Sequence, residues 1–123
     1  MTITAIDHVQ LAMPEGREEE ARRFYEGLLD IPEVPKPPVL AARGGCWFEL
    51  SIVKIHLGVE QDFVPARKAH PALVTDDLPA LTRKLEAVGI PVTPDHALAD
   101  TERCFVSDPF GNRIELIQGR TGA

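Results

Sequence analysis

Cysteine is scarce in this chain. There are two in 123 residues, Cys46 and Cys104, each inside a short apolar run and not in a Cys-x-x-Cys pair. That excludes a zinc finger or a disulfide scaffold and leaves two buried free thiols as the expectation. Long apolar runs are missing as well. No stretch approaches the roughly 20 consecutive apolar residues of a spanning helix, and the N-terminus lacks the basic-then-apolar layout of a signal peptide. The expectation is a cytoplasmic protein without a membrane partner. Basic charge is in deficit, with 13 Lys and Arg scattered among 19 Asp and Glu for a net charge of -6. Nucleic-acid affinity rests on clustered cations that release counterions from phosphates, so no such partner is expected. A strained nucleophile elbow and a recognisable activating pair are absent too, which sets aside Ser-His-Asp and Cys-His chemistry.

What is present, 44% apolar and 26% charged residues, suits one globular domain able to bury a core. The opening segment from Ile3 to Met13 alternates, with Ile6, His8, Gln10 and Ala12 on one side and Val9 and Leu11 on the other, and reads as a strand. Beyond Pro14-Glu15-Gly16, the residues Ala21, Phe24, Tyr25, Leu28 and Leu29 form the stripe of an amphipathic helix. Glu18, Glu19 and Glu20 sit in its first turns, where the helix dipole favours negative charge. The proline-rich stretch Pro32 to Pro38 reads as a connection. Residues 39–43 and 46–50 read as two strands around a Gly44-Gly45 hairpin turn, and residues 53–60 as a further strand.

Residues 61–68 read as a linker between a first module, about 1–60, and a second, about 69–118, in which the order begins again. Residues 69–75 suggest a strand. Asp76-Asp77 precede a helix carrying Leu78, Leu81, Leu85 and Val88, with Gly89 as its C-terminal cap. Residues 90–92, 103–107 and 113–118 supply three more strands, the last two joined by Asp108-Pro-Phe-Gly-Asn112. The halves overlay on four anchors: His8 on His70, a helix next, Cys46-Trp-Phe on Cys104-Phe-Val, and Ile55-His-Leu on Ile114-Glu-Leu. Each half is a βαβββ unit.

The overlay makes polar positions coincide, His8 with His70 and His56 with Glu115. In each closing strand the polar residue is flanked by Ile and Leu, so it points away from them. If the apolar faces pack under the helices, the other faces hold something polar. A divalent cation suits neutral imidazoles with a carboxylate, which would be costly to bury unpartnered. Glu60, like Glu49 and Gln10, is read as reaching solvent. His96 lies in a loop as an exposed bystander.

On Asp7-His8-Val9, Arg23-Phe-Tyr-Glu-Gly-Leu-Leu29, Ala69-His70-Pro71 and Asp108-Pro-Phe-Gly-Asn-Arg-Ile-Glu-Leu116, the chain resembles the vicinal oxygen chelate superfamily of glyoxalases, bleomycin-resistance proteins and dioxygenases. The resemblance covers essentially the whole chain. It implies an α+β fold in which two βαβββ modules form a cupped mixed sheet with helices outside, paired within one chain or across a homodimer. It places a divalent metal (Zn, Ni, Fe, Mn or Co) on His8, His70 and Glu115, with His56 where glyoxalase I has a fourth ligand, a carboxylate. It further implies Glu115 as the catalytic base; strand alternation offers Trp47 or Phe48, and Arg113 on the face of Glu115, as contacts for a small-molecule substrate. Trp47 and Phe48 point to opposite faces, and the sequence does not choose which enters the cavity. The expected function is a glyoxalase-like lyase or isomerase acting on adjacent oxygens. An extradiol dioxygenase and a metal-free binding module of the bleomycin-resistance type are the alternatives.

Overall fold

The alternation that opens the chain becomes strand β1 (Val9–Met13) in the computed structural model, which describes residues 1–120. The chain divides into two units, one from Met1 to Val64 and the other from Pro65 onward. Among the described residues no helix is long and apolar enough to cross a membrane.

In the first unit, β1 leads to α1 (Glu18–Ala21), which continues as π-helical turns (Arg22–Leu28). The wider turn is marked by the bond from Leu29 N to Phe24 O at 3.0 Å, which spans five residues. Then come β2 (Glu33–Val34), α2 (Pro38–Ala41), β3 (Cys46–Leu50) and β4 (Val53–Val59). The sheet order is β1-β4-β3-β2, with β1 parallel to β4 and the other pairs antiparallel. Ala21, Phe24 and Tyr25 of the helical stripe are buried with Met13, Cys46, Phe48, Ile55 and Leu57. Tyr25 stacks on Phe48 at 5.3 Å.

The expected hairpin over residues 39–50 does not form. On the side of β3 away from β4 the partner is β2, drawn from the proline-rich stretch, while Pro38–Ala41 makes a helical turn. The reason is local. β2 is an edge strand, where prolines in the flanking chain remove no central ladder bond, and Pro38 at the first helical position has the preset φ a helix start needs. Gly45 has φ +85°, and a Cβ there would lie 2.1 Å from the Leu57 carbonyl oxygen. Only glycine lets β3 begin so close to β4.

The second unit runs β5 (Ala72–Thr75), α3 (Leu78–Ala87), β6 (Thr93–Asp95), β7 (Arg103–Ser107) and β8 (Arg113–Gln118), in sheet order β5-β8-β7-β6. β7 and β8 have the bounds expected from the sequence. The strand expected at 90–92 falls instead on Thr93–Asp95, again as an edge strand that tolerates a proline, Pro94. Asp77 caps α3, its Oδ1 accepting from Ala80 N at 3.1 Å. Replacing it with alanine leaves that N–H unpaired, and we expect Asp77→Ala to cost about 1 kcal/mol, read as a lower urea midpoint at unchanged slope.

Between β7 and β8 the chain folds around one carboxylate. Asp108, 5% exposed, accepts from Phe110 N (2.9 Å) and Asn112 N (2.8 Å) through Oδ1 and from Asn112 Nδ2 (2.9 Å) through Oδ2. Gly111 supplies the positive φ, +91°. This turn sets the start of β8, and with it the direction of Arg113 and Glu115.

Both cysteines are buried and free. Burial pushes the Cys46 thiol up to about 11, giving a thiolate fraction of about 0.1% at pH 8 against roughly a quarter for an ordinary thiol. Cys46 should therefore resist iodoacetamide in the native protein and react fully on denaturation, as intact-mass spectrometry would show.

Candidate functional site

The strand registers reproduce the internal repeat within each unit. Trp47 stands opposite His56 across β3 and β4, and Phe105 stands opposite Glu115 across β7 and β8. On the parallel side, Gln10 pairs with His56 and Ala72 with Glu115. Two residues before Gln10 and Ala72 stand His8 and His70, which were expected within the opening strands and fall just ahead of β1 and β5. The four polar candidates therefore occupy matched sites on the sheet faces turned away from the helices.

In the first unit these side chains form a ring stack. His56, 4% exposed, lies between Trp47 (centroids 4.0 Å apart, planes 4° apart) and His8 (4.3 Å, 19°). Its Nε2 is 2.7 Å from Glu49 Oε2. His8 Nδ1 is 2.9 Å from Asp7 Oδ2. Phe48 is turned to the other face and fully buried against Tyr25, so only Trp47 of that pair joins the polar face.

In the second unit, His70 Nδ1 is 3.0 Å from the Lys68 carbonyl oxygen and its Nε2 is 2.9 Å from Glu115 Oε1. Glu115, 6% exposed, takes Arg103 Nη1 on its other oxygen at 3.1 Å. Burial alone would raise the Glu115 carboxyl, but the hydrogen bonds from His70 and Arg103 outweigh it and hold the group below the usual carboxylate range. Arg103 also reaches Asp95, directly opposite on β6, through Nη2 at 3.1 Å. Phe105 lies beneath, edge-on to His70 at 5.1 Å and 83°. The Arg113 guanidinium carbon lies 3.9 Å from the Phe105 ring centroid.

A divalent cation fits part of this donor set. A ligating histidine commonly anchors its second ring nitrogen on a carboxylate or a backbone carbonyl, and His8 on Asp7 and His70 on Lys68 O have that arrangement. His70 makes the stronger case. A neutral imidazole carries one N–H, yet both of its nitrogens face oxygen acceptors. Its Nδ1 rests on the Lys68 carbonyl oxygen, and its Nε2 faces a carboxylate that is itself a metal-donor type. His56 fits less well beside His8. Ring lone pairs lie in the ring planes, and nearly parallel planes do not converge on one ion at about 2.0–2.1 Å from each nitrogen. Among the described residues, no group of three or more His, Cys, Asp or Glu side chains is gathered closely enough to hold a metal.

The family model described as the Glyoxalase/Bleomycin resistance protein/Dioxygenase superfamily matches residues 5–116. The chain belongs to this superfamily. Within it, a crystal structure of a Bacillus anthracis protein named for the glyoxalase family is 49% identical, covers 98% of each chain and superposes with a TM-score of 0.92. Lactoylglutathione lyase from Agrobacterium tumefaciens is similar at 20% identity, with 96% of each chain covered and a TM-score of 0.72. An antibiotic binding protein from Streptomyces sp. CB03234 is similar at 22%, with 98% of this chain and 99% of that one covered and a TM-score of 0.73. The last two show the shared fold alone. No curated protein sequence matches the chain.

Three residues of these superfamily faces escaped the sequence reading. Glu49 was expected in solvent, yet it holds His56 and is about a quarter exposed. Arg103 and Phe105 were taken only as strand residues. The signal was available for Phe105, because overlaying Cys46-Trp on Cys104-Phe sets it on Trp47. Arg103 lies one strand period before it. Glu49 has no counterpart signal, since its place follows from a diagonal reach across β3 and β4.

Proposed function

We propose that the protein is a divalent-metal-dependent enzyme of the glyoxalase type, a lyase or isomerase whose small substrate offers adjacent oxygens. His8, His70 and Glu115 are the proposed metal donors, for Zn, Ni, Fe, Mn or Co. His56 is proposed as a wall of the site, held by Glu49, with Trp47 beside it. The observation carrying this reading is His70, whose Nδ1 rests on a backbone carbonyl while Nε2 faces Glu115 at 2.9 Å.

A bound ion would polarise the substrate oxygens and stabilise the negative charge that develops on them. The residues of the chain do the rest. Arg103 holds one oxygen of Glu115 in place at 3.1 Å, and Glu115 is the proposed base that takes a proton from a substrate carbon. Phe105 and Trp47 offer flat apolar surfaces beside the polar groups. A homodimer in the cytoplasm completes the reading.

A second reading, a metal-free binding module, draws on Arg103. It gives both Glu115 and Asp95 a cationic partner that is not a metal. Metal analysis of the purified protein, before and after reconstitution, separates the two. About one equivalent per chain supports the enzyme, and negligible metal in both states leaves the binding module. Iron, with turnover of a catechol in oxygen, would move the assignment to an extradiol dioxygenase. Zinc or nickel with turnover of methylglyoxal and glutathione supports the isomerase.

A further inference from the structure

Ion pairs on the polar face of the second unit are unevenly shared. Arg103 lies between Glu115 and Asp95, and Glu115 also takes Nε2 of His70. Arg113 is left over. Its polar contacts among the described residues are long and with uncharged atoms, both from Nη1: 3.4 Å to the Lys68 carbonyl oxygen and 3.5 Å to His70 Nδ1. No carboxylate among the described residues lies within ion-pair distance of it. Its Nε and Nη2, the fork that matches two oxygens at once, have no partner there. In a chain of net charge -6, a guanidinium with no carboxylate in contact among the described residues is not a by-product of a basic surface.

The side chain is nonetheless held in place. Arg113 lies diagonally across the ladder from Phe105, which pairs with Glu115, and its guanidinium sits over the Phe105 ring at 3.9 Å. Stacking on an aromatic face leaves the in-plane N–H groups pointing outward. With Phe105 against the guanidinium, Nε and Nη2 remain without a partner among the described residues. The same Phe105 ring meets His70, so whatever binds this edge lies beside the His70–Glu115 pair.

We propose that Arg113, seated on Phe105, receives an oxyanion group of the substrate, a carboxylate or phosphonate borne next to the atoms that react. This rests on the proposed function, since it adds a charge class to the same substrate. It also gives Arg113 a definite role, charge recognition by the bidentate fork, where a neutral substrate would leave the cation unused.

The test uses acetate, methylphosphonate and the neutral analogue acetamide as probes. Each is titrated into the full-length protein, as purified and again after chelation of metal, and binding is followed by NMR shifts of the arginine side-chain N–H signals. The expected result is saturable binding of at least one anion and none of acetamide. Arg113→Ala should weaken anion binding by about tenfold or more, and Arg113→Lys, which keeps the charge but not the fork, by several-fold. Anion affinity equal in the wild type and both variants overturns the proposal, as does an acetamide response matching that of the anions. Should Arg113→Ala fail to fold, Arg113→Lys alone decides. Because the chelated protein is titrated too, loss of the metal reading leaves this result intact, and the reverse also holds.

Discussion

His70→Ala and Glu115→Gln should each empty the protein of metal, while His56→Ala should leave it loaded. The asymmetry follows from the two faces. Losing an outer partner of a ligating histidine typically costs ~10–100-fold in metal affinity, so losing the donor itself should cost on the order of 100-fold or more. His56 is clasped between Trp47 and His8, with Nε2 on Glu49. Its removal loosens that stack without taking a donor from the proposed set. Elemental analysis after dialysis against metal-free buffer gives the ratio directly. Equal metal in wild type and His70→Ala sinks the metalloenzyme, and a metal-free His56→Ala makes that residue a fourth ligand after all.

The second large effect is on stability, at Gly45. An alanine there would adopt an unfavourable positive φ and drive its Cβ to 2.1 Å from the Leu57 carbonyl oxygen. That oxygen is main chain of β4, beside the Cys46–Leu57 pairing, so it cannot swing aside as a side-chain tip could. Strain of this kind places Gly45→Ala at ~3–4 kcal/mol, or roughly 10–20 °C in Tm. Gly89 is the matched control. It has φ +83°, yet nothing lies within 4 Å of its would-be Cβ. Gly89→Ala should thus cost only the backbone term, ~1–2 kcal/mol. The difference between the two melting temperatures measures the close approach of β3 to β4. Equal losses would mean that the Leu57 contact relaxes at no cost.

Much of this was legible because the strands obey period two. Ile and Leu on either side of His56 and Glu115 announced which way those polar groups face, and Asp77 and Gly89 announced the ends of α3. The short edge strands were harder to see. Glu33–Val34 and Thr93–Asp95 are too brief to show alternation and contain or adjoin prolines, so what makes them strands is a neighbour that accepts them. The Gly44-Gly45 pair looked like a hairpin turn, but its positive φ values serve the entry into β3 after a helical turn. At the site, residue types marked the imidazoles and Glu115. What they hold was hidden, because Glu49 reaches His56, Arg103 reaches Glu115 and Arg113 reaches Phe105 diagonally across a ladder, and diagonal contacts depend on register.

The stack in the first unit also equips the molecule with an optical reporter. Trp47 is the single tryptophan of the chain, and its indole lies face to face with the His56 imidazole at 4.0 Å. Fluorescence excited in the red edge of the protein spectrum therefore comes from one location, on the polar face and not in the core. An event that shifts His56 or withdraws Glu49 from it changes the emission of that one fluorophore, so ligand or metal uptake can be followed in real time without attaching a label.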